Sequence, residues 1–235
     1  MLLAELEIFH SRPVQPTRRI ALGHVVLPVD PAPGFGGLLL GAIVAQHLDG
    51  IDDDLVGDIH QLINEVGQGS RIVQPRLRHR FQIDRHGLSH STHRMVGDGD
   101  DISFDFDTVG TDLAQVLGAV YAVERLAMEH RRMIVPVLQK AARWRGPIGA
   151  SMIAHFAGSQ STTLEALADP RGWAMQVLGF DVTAKKPSKR QVMRAFRDRM
   201  REVHPDHGGA AIDAAKAMSD LTEARRILTA NSAAD

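Results

Sequence analysis

Residues 201–210, REVHPDHGGA, impose the hardest local constraint in the chain. Pro205 lacks an amide hydrogen and biases His204 away from helical backbone, so no regular helix passes through the pair. Gly208 and Gly209 tolerate the positive φ of a tight reversal. Strongly periodic segments stand on both sides. Before the break, KRQVMRAFRDRMREV sets Val192, Phe196, Met200 and Val203 along one side and Arg190, Arg194, Arg197 and Arg201 along another. After it, AIDAAKAMSDLTEARRIL sets Met218, Leu221, Ala224 and Leu228 on one face. Two apolar stripes joined by a helix-breaking reversal bury themselves against each other, which predicts a helical hairpin with the loop displayed at its tip.

A short helix is predicted upstream. Asp169 accepts from free amides, Pro170 occupies the first turn, and WAMQVLGF continues until Gly179 ends it. Ser188, after KKP, is placed to cap the helix that carries the arginines.

In this order and spacing, residues 173–229 resemble the J domain of DnaJ-type co-chaperones. The resemblance rests on VLGF closing the first helix, V..AFR in the second, His204-Pro205-Asp206 in the loop and LTEA..IL in the third. The compact loop, without a clear fourth helix, is closer to the carboxy-terminal J domains of the mitochondrial import-motor type than to the amino-terminal J domain of full-length DnaJ. The resemblance implies a co-chaperone that docks on a DnaK-type chaperone ATPase, accelerates its ATP hydrolysis and traps client. It assigns the chaperone-binding role to His204, Pro205 and Asp206 in the loop and to Arg190, Arg194, Arg197 and Arg201 on the basic face. Arginine forks suit carboxylates and steer encounter with an acidic groove. The chain departs from the family at Met175, where an aromatic is usual, at Arg199 for leucine, at Glu202 for a basic residue and at Arg225 for tyrosine. The competing reading of the loop, a divalent-ion clamp of His204, Asp206 and His207, suffers from the proline inside the triplet and the want of a fourth ligand nearby.

The amino-terminal part reads differently. Ala4–His10 and Ile20–Val29 are strand-like, and the second leads into the turn DPAPG. Phe35–Leu48 and Asp53–Val66 read as helices broken at DGIDDD. Leu77, Phe81 and Ile83, then LSHSTHRMV, then Ile102, Phe104 and Phe106 alternate with polar residues and predict an antiparallel meander. Asp112 is expected to cap one long helix that Pro136 breaks or kinks, and GPIGASMIAHFAGSQ reads as a linker or short helical bridge.

His79, His86, His90 and His93 with Asp98, Asp100 and Asp101 could assemble a metal site, but the odd spacing of His90 and His93 sends them to opposite faces, which favours solvated histidines. Asp105 and Asp107 share a strand face, the geometry of acid and base chemistry, although such a face is more often plain solvent-exposed surface. GFGGLLLG lacks the lysine and spacing of a phosphate loop and reads as a turn into a buried helix. Arg125, Arg131, Arg132, Lys140, Arg143 and Arg145 read as solvated surface, with RNA or an acidic partner as the minor reading.

Composition narrows the classes. Apolar residues at 44% and charged residues at 23% fit an ordinary globular protein, and a net charge of −1 argues against a whole-chain nucleic-acid binder. With no cysteine there is neither a disulfide framework nor a zinc ribbon. The apolar run Gly36–Ala45 is too short to span a bilayer, and the first residues do not read as a secretory signal, so a cytoplasmic, bacterial protein is expected.

The expected fold class is an α+β amino-terminal domain (1–145), a linker (146–168) and a small all-α J-domain helical hairpin (169–235). The expected function is a non-enzymatic J-domain co-chaperone for protein folding, without cofactor, metal or membrane span. Its partners would be a DnaK-type ATPase and a client or complex held by the amino-terminal domain. The alternative is an amino-terminal metal-dependent enzyme with a regulatory J module.

Overall fold

The computed structural model describes residues 1–12, 18–70, 77, 79–159, 161–203 and 211–230, the last stretch without the side chains of 211–213. The chain divides into two compact units, 1–157 and 158–235.

The first unit holds a five-stranded mixed sheet. Its strands are β1 (Leu2–His10), β2 (Arg19–Val26), β3 (Arg80–Phe81), β4 (Ser89–Asp98) and β5 (Asp101–Phe106), in the order β3-β2-β1-β4-β5. The apolar alternation of β1 explains its central place: Leu6, Ile8 and His10 point into the core, while Glu5, Glu7 and Phe9 line the opposite, wetter face. There Glu5 takes hydrogen bonds from Arg94 (2.6 Å) and pairs with His24 (2.8 Å), which hold its carboxyl below the usual range, His24 most strongly.

β4 and β5 form the expected hairpin, with His93 opposite Phe106. The third member of the expected meander is elsewhere: β3 pairs parallel with β2, Ile20 opposite Phe81. Alternation in sequence gives the face a residue occupies but not the strand beside it, and here the stacking of Phe81 on Tyr121 (ring centroids 4.6 Å apart) accompanies the β2 edge.

Among the described residues the α-helices of this unit are α1 (Gly34–His47), α2 (Asp53–Gln68), α3 (Asp112–Glu124), α4 (Met128–Ala141) and α5 (Ala150–Ala157). α1 is buried nearly all round because it lies among β1, β4, α3, α4 and α5. Its glycines make this possible; a Cβ on Gly36 would lie 2.7 Å from the backbone of Leu27. The expected long helix from Asp112 is two helices. Arg131 reaches back to the carbonyls of Leu126 (2.8 Å) and Glu124, satisfying the end of α3, whereas α4 runs on through Pro136. Thr111, not Asp112, caps α3.

The second unit contains α6 (Leu164–Ala168), α7 (Pro170–Val177), α8 (Lys189–Glu202) and α9 (Ala211–Ala230). This corrects the expected fold class. Among the described residues the nine α-helices are spread along the chain, and the carboxy-terminal part is not a small J-domain hairpin alone. Thr163 and Asp169 cap two further helices, and α7 packs extensively on α9, so Trp173, Met175 and Leu178 share one core with Val192, Leu221, Ala224 and Leu228. α8 and α9 without α7 would leave that apolar face uncovered. The nearly buried Glu223 accepts from Arg226 (2.7 and 2.9 Å) and Ser159 (3.0 Å), tying α9 to the unit's first residues.

No helix among the described residues is long and apolar enough to cross a membrane.

Candidate functional site

Helix α8 carries the side chains that the sequence singles out. Ser188 and Gln191 form a reciprocal cap: the Ser188 amide donates to Gln191 Oε1 (2.8 Å) and the Gln191 amide to Ser188 Oγ (3.4 Å). Val192 is fully buried, and Phe196, Met200 and Val203 pack partly buried against the same core. This anchoring turns Arg190, Arg194, Arg197 and Arg201 outward, all exposed. Their spacing of four, three and four residues holds them on one face, as read from the sequence.

The face is not purely cationic. Asp198 lies within the arginine row, 3.9 Å from Arg194 and 3.5 Å from Arg201. The i,i+4 arithmetic of the sequence already contained it, and a reading of basic residues alone passed over it. Glu202, the expected acidic departure, pairs instead with Arg199 at 3.2 Å. Arg225 lies over the Phe196 ring at 4.4 Å, and Met175 is buried in the core. His204, Pro205, Asp206 and His207 lie outside the described residues.

In the first unit the sequence candidates scatter. His86 and His90 are exposed, as are Asp98, Asp100 and Asp101, while His93 is completely buried on the other face of β4. His79 is also buried and donates from Nδ1 to the Leu77 carbonyl at 2.5 Å. The expectation of solvated histidines therefore fails for His79 and His93, because the period-two pattern turns His93 inward with Ser91 and Met95. Asp105 is exposed near Arg94 (3.9 Å), and Asp107 accepts from the Val109 amide (3.0 Å). No group of three or more acidic or histidine side chains among the described residues could hold a metal ion.

A buried polar cluster was missed. His93 Nε2 meets Gln115 Oε1 at 2.9 Å, Ser91 donates to the same oxygen at 2.8 Å, and Gln115 in turn donates to the Val109 carbonyl at 2.7 Å. His47 Nδ1 meets Asp112 at 2.7 Å, with its ring 5.6 Å from that of His93. His10 Nε2, His47 Nε2 and His93 Nδ1 are buried without a hydrogen-bond partner. One signal was available: His10 continues the inward alternation of Leu6 and Ile8. His47 and Gln115 gave none, since only packing turns these helix positions inward.

Burial lowers the pKa of His10, His79 and His93, and the Arg18 charge lowers that of His79 further. Each is neutral in the fold and gains a proton more readily on unfolding. Their contribution to stability is therefore complete above about pH 6.5, the unfolded value, and is lost as the pH falls toward the depressed folded values, by at most about 1.4 kcal/mol per pH unit per histidine. Urea midpoints should fall between pH 7 and pH 5.5, and His93→Gln should flatten the slope. A pH-independent midpoint over that interval would contradict the assignment.

In comparisons with known proteins, no family model, no curated protein and no solved structure matches this chain.

Proposed function

We propose that the protein is a J-domain-type co-chaperone whose carboxy-terminal unit docks on a DnaK-type ATPase and stimulates ATP hydrolysis, with the amino-terminal unit as adaptor for a client or partner. The observation that carries this reading is the division of α8 into an anchored apolar stripe and an exposed arginine row, whose last member, Arg201, stands three residues before His204 in the sequence. A cationic row on a rigid helix steers encounter with an acidic groove, and a contact made by the residues that follow can bias the conformational equilibrium of the partner. Arg190, Arg194, Arg197 and Arg201 supply the steering in this account, and Asp206 supplies the switch. Catalysis belongs to the partner, so no cofactor is needed on this chain.

Single-turnover ATP hydrolysis by the cognate DnaK-type protein tests the reading. The full chain should accelerate it, Asp206→Asn should abolish the acceleration, and an undiminished response in the variant would refute the assignment. Asp198→Asn provides a second test, because removing the one carboxylate in the row leaves Arg194 and Arg201 free to pair with the partner. Apparent affinity should rise about two- to five-fold at low salt, the scale of an exposed ion pair, and the gain should fade as salt is added. Unchanged or weaker binding would separate the arginine row from docking.

A further inference from the structure

A second site lies in the first unit, at the end of the sheet where β1 leaves and β2 enters, and it is independent of the co-chaperone reading. The Ser11 amide donates to the Arg19 carbonyl (3.0 Å) and the Arg19 amide to the Ser11 hydroxyl (2.8 Å), which brings Arg12 and Arg18 to one opening. The opening leads into a cavity of ≈ 300 Å³ lined by these arginines, Arg19, His10 and His79, with the first turn of α3 forming another wall. Asp52 is the lining carboxylate. Two exposed guanidinium groups, those of Arg12 and Arg18, therefore accompany one acid.

Arg12 and Arg18 are exposed at the opening. Arg19 is different: next to the inward Ile20, it turns to the other face of the sheet, where it bonds the His86 carbonyl (3.2 Å) and lies 4.0 Å from Asp84. Two cationic side chains gathered beside a single acid repel one another, and an anion between them removes that repulsion. Thr111, Leu113 and Ala114 bring the amino-terminal turn of α3, whose dipole also favours negative charge. Leu55 and Leu113 add apolar wall.

We infer that this cavity binds a small phosphorylated metabolite, its phosphate held by Arg12 and Arg18 and its short organic body against Leu55 and Leu113. A phosphate dianion offers oxygens to several forked donors at once, as a single carboxylate does not. The volume, at the lower end of ligand pockets, admits a body of three to six carbons, roughly, and not a dinucleotide.

Calorimetric titration of the full chain with inorganic phosphate and with glycerol 3-phosphate, at ionic strength matched with chloride, tests this. Both probes should saturate, with glycerol 3-phosphate the tighter. Arg12→Gln combined with Arg18→Gln should weaken both at least tenfold while leaving the urea midpoint of the protein unchanged, and Arg143→Gln, away from the cavity, should leave binding intact. The His79 imidazole, followed by NMR, should titrate at higher pH when glycerol 3-phosphate is bound. Failure of both probes to saturate, equal binding by the double variant, or equal weakening by Arg143→Gln would overturn the inference, the last by assigning binding to general surface charge.

Discussion

Trp173→Ala is expected to unfold the second unit under conditions in which the first remains intact. Trp173 is 6% exposed and belongs to one core with Met175, Leu178, Val192, Leu221, Ala224 and Leu228. Truncating a buried tryptophan costs about 3–5 kcal/mol, the transfer of the ring plus the cavity it leaves. A unit of this size has about as much stability to lose. The chain has two tryptophans, and the other, Trp144, lies in the first unit against His155 and Phe156. In the variant, Trp144 fluorescence reports the first unit alone and should keep its urea midpoint. Amide exchange across α7, α8 and α9 should become fast, and stimulation of a DnaK-type ATPase should disappear with it. Protected amides in those helices would show that the core tolerates the loss. Leu221→Ala, with an expected cost of about 2–5 kcal/mol, provides a graded check where the tryptophan variant is wholly unfolded.

Gly36→Val should be the corresponding lesion in the first unit. Gly36 sits in the first turn of α1, where its amide donates to the Pro28 carbonyl at 2.7 Å, and an added Cβ would lie 2.7 Å from Leu27 Cα and carbonyl carbon. A flexible side chain can swing aside, but backbone at the entrance to a helix cannot move without dragging β2 or α1. Overpacking of this kind costs about 1–3 kcal/mol and more where nothing yields, so valine belongs at the upper end. Gly57, inside α2, makes the contrast: it is exposed and nothing lies within 4 Å of its would-be Cβ. Gly57→Ala should stabilise the unit by about 0.5–1 kcal/mol through helix propensity. Urea denaturation followed at Trp144 measures both, and opposite signs are required. A neutral Gly36→Val would show that α1 does not approach Leu27 as closely as described.

GFGGLLLG takes its meaning from that approach. The segment has the composition of a phosphate loop and neither its lysine nor its spacing, and its glycines serve the docking of a buried helix. The residues of the inferred anion cavity carry no such signal: the pair Arg12 and Arg18, then His79, then Thr111 lie in three separate stretches of sequence and form no motif. They become neighbours only because β1, β2, the approach to β3 and the start of α3 end together.

What the sequence determined by itself is local chemistry. Asp169 before Pro170, Ser188 three residues before Gln191, and the three- and four-residue recurrence of Val192, Phe196, Met200 and Val203 located the starts of α7 and α8 and the buried side of α8. The same periodicity set the four arginines outward. What only the tertiary structure decided was which surfaces meet: the parallel pairing of β3, the burial of His47, His79 and Gln115, the division of α3 from α4 by Arg131, and the packing of α7 on α9 in place of a hairpin alone. The physical reason is range. Caps and hydrophobic stripes act within a few residues of their own position, whereas strand order, buried polar pairs and cavities depend on contacts between segments whose separation along the chain carries no periodic signal.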